Sequence, residues 1–282
     1  MPVTRPALRY YGGKWRLAPW VISHFPAHRR YVEPFGGAAS VLLRKPRARF
    51  EVWNDLDQGL VNLFRVLRDE SLAALLVGQL EMTPYAREEF EAARTPHDDM
   101  VERARRLLVR SFMGHGAYGV INGKASGFRA GKRGAGCQPT AMDWQRLPQA
   151  IPALIQRMRG VVIESDDARD VIRRFDTPDT LIYCDPPYPM ATRCTNNPAV
   201  YQHELDEDGH CALARTLHEC SAMVAVSGYP CALYDDLYRG WARVTKDARA
   251  DRGARRVEVL WLNQAAVHGR HGLLRLAEGG AA

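Results

Sequence analysis

Asp185, Pro186, Pro187 and Tyr188 follow directly on the apolar run Leu181-Ile182-Tyr183-Cys184. The run reads as a buried strand, and two prolines that cannot donate to a ladder end its pairing. An acid and an aromatic ring are thus held on a stiff turn at the carboxyl end of a strand. The Asp185 carboxylate and the Pro186 carbonyl are two acceptors in fixed relation, able to hold both hydrogens of a planar amino group. Tyr188 can stack on the ring that carries it. The lone pair of an aromatic amine is delocalised, and two well-placed acceptors favour the pyramidal geometry in which it can attack. The structural alternative is a tight turn whose aspartate caps the next helix.

Such a turn needs a sheet, because ligands of open α/β sheets bind at the carboxyl ends of the strands. Two earlier stretches supply partners. Tyr31-Val32-Glu33-Pro34-Phe35-Gly36-Gly37-Ala38-Ala39-Ser40 reads as strand, glycine turn and helix start, with helix amides and small residues open to a ligand. It carries neither the lysine of a Walker loop nor the full dinucleotide GxGxxG spacing, and the helix is expected to have begun by Ala39. Phe50-Glu51-Val52-Trp53 reads as a second strand ending at Asp55, placed either to bind ribose hydroxyls or to cap the helix marked by Leu56, Leu60, Leu63, Phe64 and Leu67. At the N-terminus, Tyr11-Gly12-Gly13-Lys14 combines a flexible bend with a cation, followed by a short helix bearing Leu17, Trp20, Val21 and His24.

Charge is unevenly placed. The formal charge is +7, yet Arg103 to Arg159 holds eleven Lys and Arg against one acid, Asp143, so the flanks are net acidic. A polyanionic partner for that segment follows, with a solvated basic face as the alternative. Helices are expected from Thr83-Pro84 to Ala93, from Asp98-Asp99 through Phe112, and from Asp143 to Arg159 with breaks near Pro148 and Pro152. Between them, Gly114 to Gly136 contains eight glycines with Lys124, Arg129, Lys132, Arg133, Tyr118, Asn122 and Phe128. That mixture suits a loop that orders against phosphates and base edges, with Arg110 on the preceding helix.

Strand logic then resumes. Val161 to Glu164 reads as a strand ending at Asp166, which either accepts from a cofactor adenine or caps the helix through Ile172. Pro189 to Asn197 has no periodicity and reads as a loop able to cover a bound base. A helix to about Cys220, a strand from Met223 to Ser227, and a strand pair over Trp241–Lys246 and Val257–Asn263 complete the chain before a frayed tail. No apolar run reaches 18 residues and the start lacks a signal-like apolar region. The six cysteines form no CxxC pair, which suggests a reducing cytoplasm without disulfides or structural zinc. His210-Cys211 and His218 with Cys220 read as helix residues rather than metal ligands.

Together these motifs resemble the DNA adenine methyltransferase family, the Dam-like class in which the cofactor motif precedes the catalytic one. The similarity covers nearly the whole chain. It implies an α/β, Rossmann-like sheet formed by 1–70 and 160–282, with a mostly helical, basic target-recognition insert over 71–159. Tyr11, Gly12, Gly13 and Lys14, with Glu33, Pro34, Phe35, Gly36 and Gly37, correspond to the S-adenosylmethionine motifs, Asp55 to the ribose-binding acid, and Asp185, Pro186, Pro187 and Tyr188 to the catalytic tetrad. The implied activity is methyl transfer from S-adenosylmethionine to the amino group of an adenine flipped out of double-stranded DNA, with no metal because the sulfonium is already activated. Where the family carries a further glycine this chain has Ala39, and the insert does not match the hairpin that reads GATC. Methylation of the cytosine 4-amino group, a silent DNA-binding protein of the same fold, and RNA or protein substrates are the alternatives. The recognised sequence and the oligomeric state, monomer or other, stay open.

Overall fold

Five short apolar runs and an amphipathic pair become the strands. They are β1 (Arg30–Glu33), β2 (Phe50–Asn54), β3 (Val161–Glu164), β4 (Thr180–Cys184), β5 (Met223–Gly228), β6 (Ala242–Arg249) and β7 (Arg255–Leu262). In the computed structural model, which describes residues 2–115, 127–130, 140–193, 201–249 and 255–270, they form one sheet in the order β3-β2-β1-β4-β5-β7-β6. The first five strands pair in parallel and β7 runs antiparallel to β5 and β6. β4 and β5 are buried at every position, as strands covered on both faces must be. The protein is therefore a mixed α/β fold of the expected class.

The order reverses at β1. From there the chain winds outward through β2 and β3 and returns to lay β4 on the other side of β1, in register Val32 with Ile182. Brought side by side, the carboxyl ends of β1 and β4 carry the glycine turn and Asp185. A ligand crevice opens at such a reversal.

The turn after β1 differs from expectation at one residue. After the short helix α1 (Ala18–Ser23), helix α2 (Ser40–Arg44) begins one position later than read, and Ala39 precedes it in the left-handed region at φ 54°. An alanine there costs about 1–2 kcal/mol relative to glycine. The helix after β2, α3 (Gln58–Arg68), is capped by Asp57, whose carboxylate accepts from the amides of Gly59 and Leu60. Asp55 is thereby freed from capping.

The stretch 71–159 forms helices α4 (Glu70–Met82), α5 (Arg87–Ala92), α6 (Met100–Met113), α7 (Thr140–Gln145) and α8 (Leu147–Met158). Asp99 caps α6 as expected, but α5 starts at Arg87 rather than beside Pro84, because Thr83 instead ends α4. Pro148 lies in the first turn of α8, where its missing N–H costs nothing, and the helix continues through Pro152. These helices do not stand apart from the sheet. Leu76, Leu80, Leu108, Ile151 and Met158 share a single buried cluster with Leu42, Trp53 and Phe64. A buried ionic knot ties them further: Glu51 on β2 accepts from Lys45 at 2.8 Å and from Arg157 of α8 at 2.6 Å. The opposite sheet face is covered by α9 (Ala168–Phe175), α10 (Glu207–Glu219) and α11 (Ala232–Leu237). Residues 264–270 are helical, where the sequence suggested only the approach to a tail.

Candidate active site

Asp185 emerges from β4 with its carboxylate held from two sides. Oδ1 accepts from Ser227 Oγ at 2.8 Å, and Lys14 Nζ stands 2.8 Å from the same atom. Ser227 is itself fixed by the Tyr183 hydroxyl at 3.0 Å. Because both contacts use Oδ1, Oδ2 is, among the described residues, the oxygen left for an incoming amino group. Burial opposes the charge on Lys14, but the carboxylates of Asp185 and Glu258 outweigh it and the pKa rises. Lys14, expected among the cofactor residues, thus faces Asp185.

Lys14 also stands 4.6 Å from the centroid of the Tyr188 ring, a cation–π contact. Tyr229 meets that ring edge-on at 4.7 Å, and the Tyr188 hydroxyl donates to Glu258 Oε1. Burial, with Asp185 and Glu258 nearby, holds the phenol well above its usual pKa. It remains a neutral donor. The Tyr188 carbonyl accepts from Arg193 Nε at 2.8 Å, and Arg193 forms a two-pronged pair with Glu204 at 2.7 Å on each arm. That pair links the tetrad's backbone to Tyr201-Gln202-His203-Glu204.

Beside Asp185 opens a cleft enclosing about 1200 Å³ of empty space, part of it open to solvent. Tyr11, Gly12, Gly13, Lys14, Glu33, Pro34, Phe35, Gly36, Gly37 and Asp55 all line it, as do Asp185 and Pro187; Pro186 and Tyr188 do not. Gly36 packs so closely on the Trp53 indole that a methyl there would clash. Gly37, at φ 47°, turns its amide to Asp55 Oδ2 at 2.8 Å, while Asp57 N donates to Oδ1 at 2.9 Å. Burial raises the Asp55 pKa to about 6 against those two amides. Glu33 is pushed further, to about 8, by burial, although Oε2 accepts from the Tyr31 hydroxyl and the Leu42 amide at 3.1 Å each.

Asp166 is placed elsewhere. Its carboxylate pairs with Arg174 at 2.8 Å, and its backbone exchanges bonds with the Asn54 amide side chain. Asp167 caps α9, and Asp167, Ala168 and Arg169 line the cleft in place of Asp166. A one-residue shift decides this, and two adjacent aspartates give no sequence signal to choose between them. Arg110 is also committed within the fold: its guanidinium donates to the Ala93 carbonyl at 2.7 Å, closing the end of α5. Arg129 is anchored through its backbone, donating to the Met113 carbonyl at 2.7 Å and accepting from the Tyr85 hydroxyl at 2.6 Å. Tyr118, Asn122, Lys124, Lys132 and Arg133 lie outside the described residues.

Ser227, Tyr229, Glu258 and the Tyr201–Glu204 stretch went unmarked in the sequence. Of these, Ser227 and Tyr229 flank Gly228 ahead of Pro230, while Glu258 and the Tyr201–Glu204 stretch sit in no glycine- or proline-marked motif. Among the described residues, no group of three His, Cys, Asp or Glu could hold a metal; His210 instead meets the Tyr234 hydroxyl at 3.2 Å. No helix among them is long and apolar enough to cross a membrane.

A proline-stiffened acid at a strand end, beside a glycine-turn cleft at the sheet reversal, is the arrangement implied by the motifs. Comparison with known proteins settles the family: residues 10–251 match the profile of the D12 class N6 adenine-specific DNA methyltransferases. The chain belongs to that family. DNA adenine methylases named from Vibrio cholerae and Salmonella typhimurium are 25% and 26% identical to it, each over 85% of this chain and 87% and 86% of their own lengths. The DNA adenine methylase of Escherichia coli K12 is 26% identical over 85% of this chain and 86% of its own. As an adenine-specific DNA methyltransferase, the protein acts on the amino group at adenine N6. Nothing favours the cytosine reading or the silent one.

Proposed function

We propose that this methyltransferase binds S-adenosylmethionine in the cleft between the glycine turn and Asp55 and methylates an adenine flipped out of double-stranded DNA. The cleft fits that molecule by its chemistry. Asp55 is a buried carboxylate suited to ribose hydroxyl donors, the turn at Gly36 and Gly37 admits close backbone approach, and Asp185 stands at the cleft's rim. When bound, S-adenosylmethionine supplies an activated methyl whose carbon takes the amine lone pair as the carbon–sulfur bond breaks, that pair leaving on sulfur. Asp185 Oδ2 and the Pro186 carbonyl accept the two amino hydrogens, turning the lone pair toward the cleft. Nitrogen gains positive charge as the new bond forms, and the Asp185 carboxylate stabilises it until one proton passes to that carboxylate or to water. Tyr188 stacks on the extruded ring and offsets part of a flipping cost of about a few kcal/mol. Holding both reactants in line contributes roughly 7–11 kcal/mol. The basic segment around Lys124, Arg129, Lys132 and Arg133 grips the phosphates.

The observation carrying this reading is the contact of one acid, Asp185, with both the cleft lining and the Tyr188 cluster. Asp185→Ala is expected to abolish methyl transfer in a tritiated-methyl assay while titration calorimetry finds S-adenosylmethionine binding within about threefold of the parent. Turnover near the parent rate rejects the assignment.

A further inference from the structure

Glu258 lies on β7, in a stretch that no catalytic motif marks. β7 pairs with β5 out to Val259 opposite Gly228, so Glu258 is the next residue outward, past the carboxyl end of β5. Alternation along the strand turns it to the face shared with Leu260 and Leu262 rather than that of Val259 and Trp261. There it is 3% exposed. A carboxylate so buried costs several kcal/mol unless its neighbours compensate, and the neighbours it has belong to the catalytic cluster. The Tyr188 hydroxyl donates to Oε1, and Lys14 Nζ is 3.8 Å from the same oxygen while 2.8 Å from Asp185 Oδ1. One ammonium thus serves two carboxylates and caps the ring of the tyrosine between them.

We propose that Glu258 is a positioning residue for adenine methylation: it sets the tilt of the Tyr188 ring on which the flipped base stacks, and it shares Lys14 so that Asp185 keeps its strength as an acceptor. This rests on the assignment of Asp185 and Tyr188 above. A carboxylate placed only to secure β7 would need no partner on the tetrad. Here the tyrosine's one polar atom is spent on it, and torsion about the ring's bonds is restrained at both ends. With Glu258 removed, the ring is released at its hydroxyl and Lys14 pairs with Asp185 alone, weakening its hold on the amino hydrogens.

The test uses the full chain with plasmid DNA from a host lacking adenine methylation. Glu258→Leu is expected to lower kcat about tenfold or more, with KM for S-adenosylmethionine within about threefold. Adding Tyr188→Phe to Glu258→Leu is expected to cost no more than Glu258→Leu alone, because the tether is already lost. Unchanged kcat in folded Glu258→Leu, or losses that multiply in the double variant, overturns the proposal. If Glu258→Leu fails to fold, Glu258→Gln carries the test. It keeps the shape and one acceptor but frees Lys14 for Asp185, so a drop in kcat of about fivefold is expected and none overturns the idea. Asp185→Ala run alongside separates the two levels: full activity there sinks the site itself, whereas inactivity there with normal Glu258 variants sinks only the role of Glu258.

Discussion

Asp55 illustrates how burial sets the chemistry of a single residue. Its pKa of about 6 lies above the ordinary 3.8 because desolvation outweighs two amide bonds. The folded protein therefore holds this proton more tightly than the unfolded chain. The group's contribution to stability is full below about pH 4 and is lost as pH rises through 6. Ribose hydroxyls donate to the ionised form, so S-adenosylmethionine affinity is expected to increase as pH passes 6. Titration calorimetry between about pH 5 and 7 checks this, and Asp55→Asn should flatten the profile. A pH-independent affinity in the parent removes Asp55 from the ribose. Glu33 has the same sign and a higher midpoint, about 8. Ala39 shows the limit of residue-level reading: glycine would relieve its left-handed backbone but empty a fully buried methyl site, and these terms, each about 1 kcal/mol, oppose.

Elements position the site through two joints. The first is the turn after β1, where Gly36 packs under Trp53. Gly36→Ala must shift either the indole or the loop, so S-adenosylmethionine binding is expected to weaken at least about tenfold for a stability loss of about 1–3 kcal/mol. Calorimetry and denaturant unfolding measured on one sample separate the two effects. The second joint is the buried set Lys45, Glu51 and Arg157, which links the end of α2, β2 and α8. Glu51→Ala strands two cations with side-chain exposures of 1% and 11%, and unfolding free energy is expected to fall by about 3–5 kcal/mol. A change under 1 kcal/mol would mean water compensates the pair. Neither joint could be found from spacing. The strands and most helices were legible because their apolar periodicity and caps are local, but Lys45 and Arg157 are separated by more than a hundred positions and nothing local pairs them.

At the scale of the whole molecule, the basic segment proposed to grip DNA can be tested by the salt dependence of binding. If Lys124, Arg129, Lys132 and Arg133 each neutralise a phosphate, replacing all four with alanine should reduce the slope of log binding constant against log salt by about 3–4. Binding measured across a salt series checks it, and an unchanged slope takes this segment off the backbone. The amino-acid sequence alone determined the sheet class, the order of the motifs, the acid-proline-proline-tyrosine elbow and the location of the positive charge, since each depends on neighbours within a few residues. Tertiary structure alone decided that Lys14 faces Asp185, that Asp167 rather than Asp166 borders the cleft, that α4 to α8 share the sheet's core, and that Glu258 from the last strand reaches Tyr188. Those are contacts between distant segments, and their geometry exists only once the β1–β4 reversal has brought strand ends together.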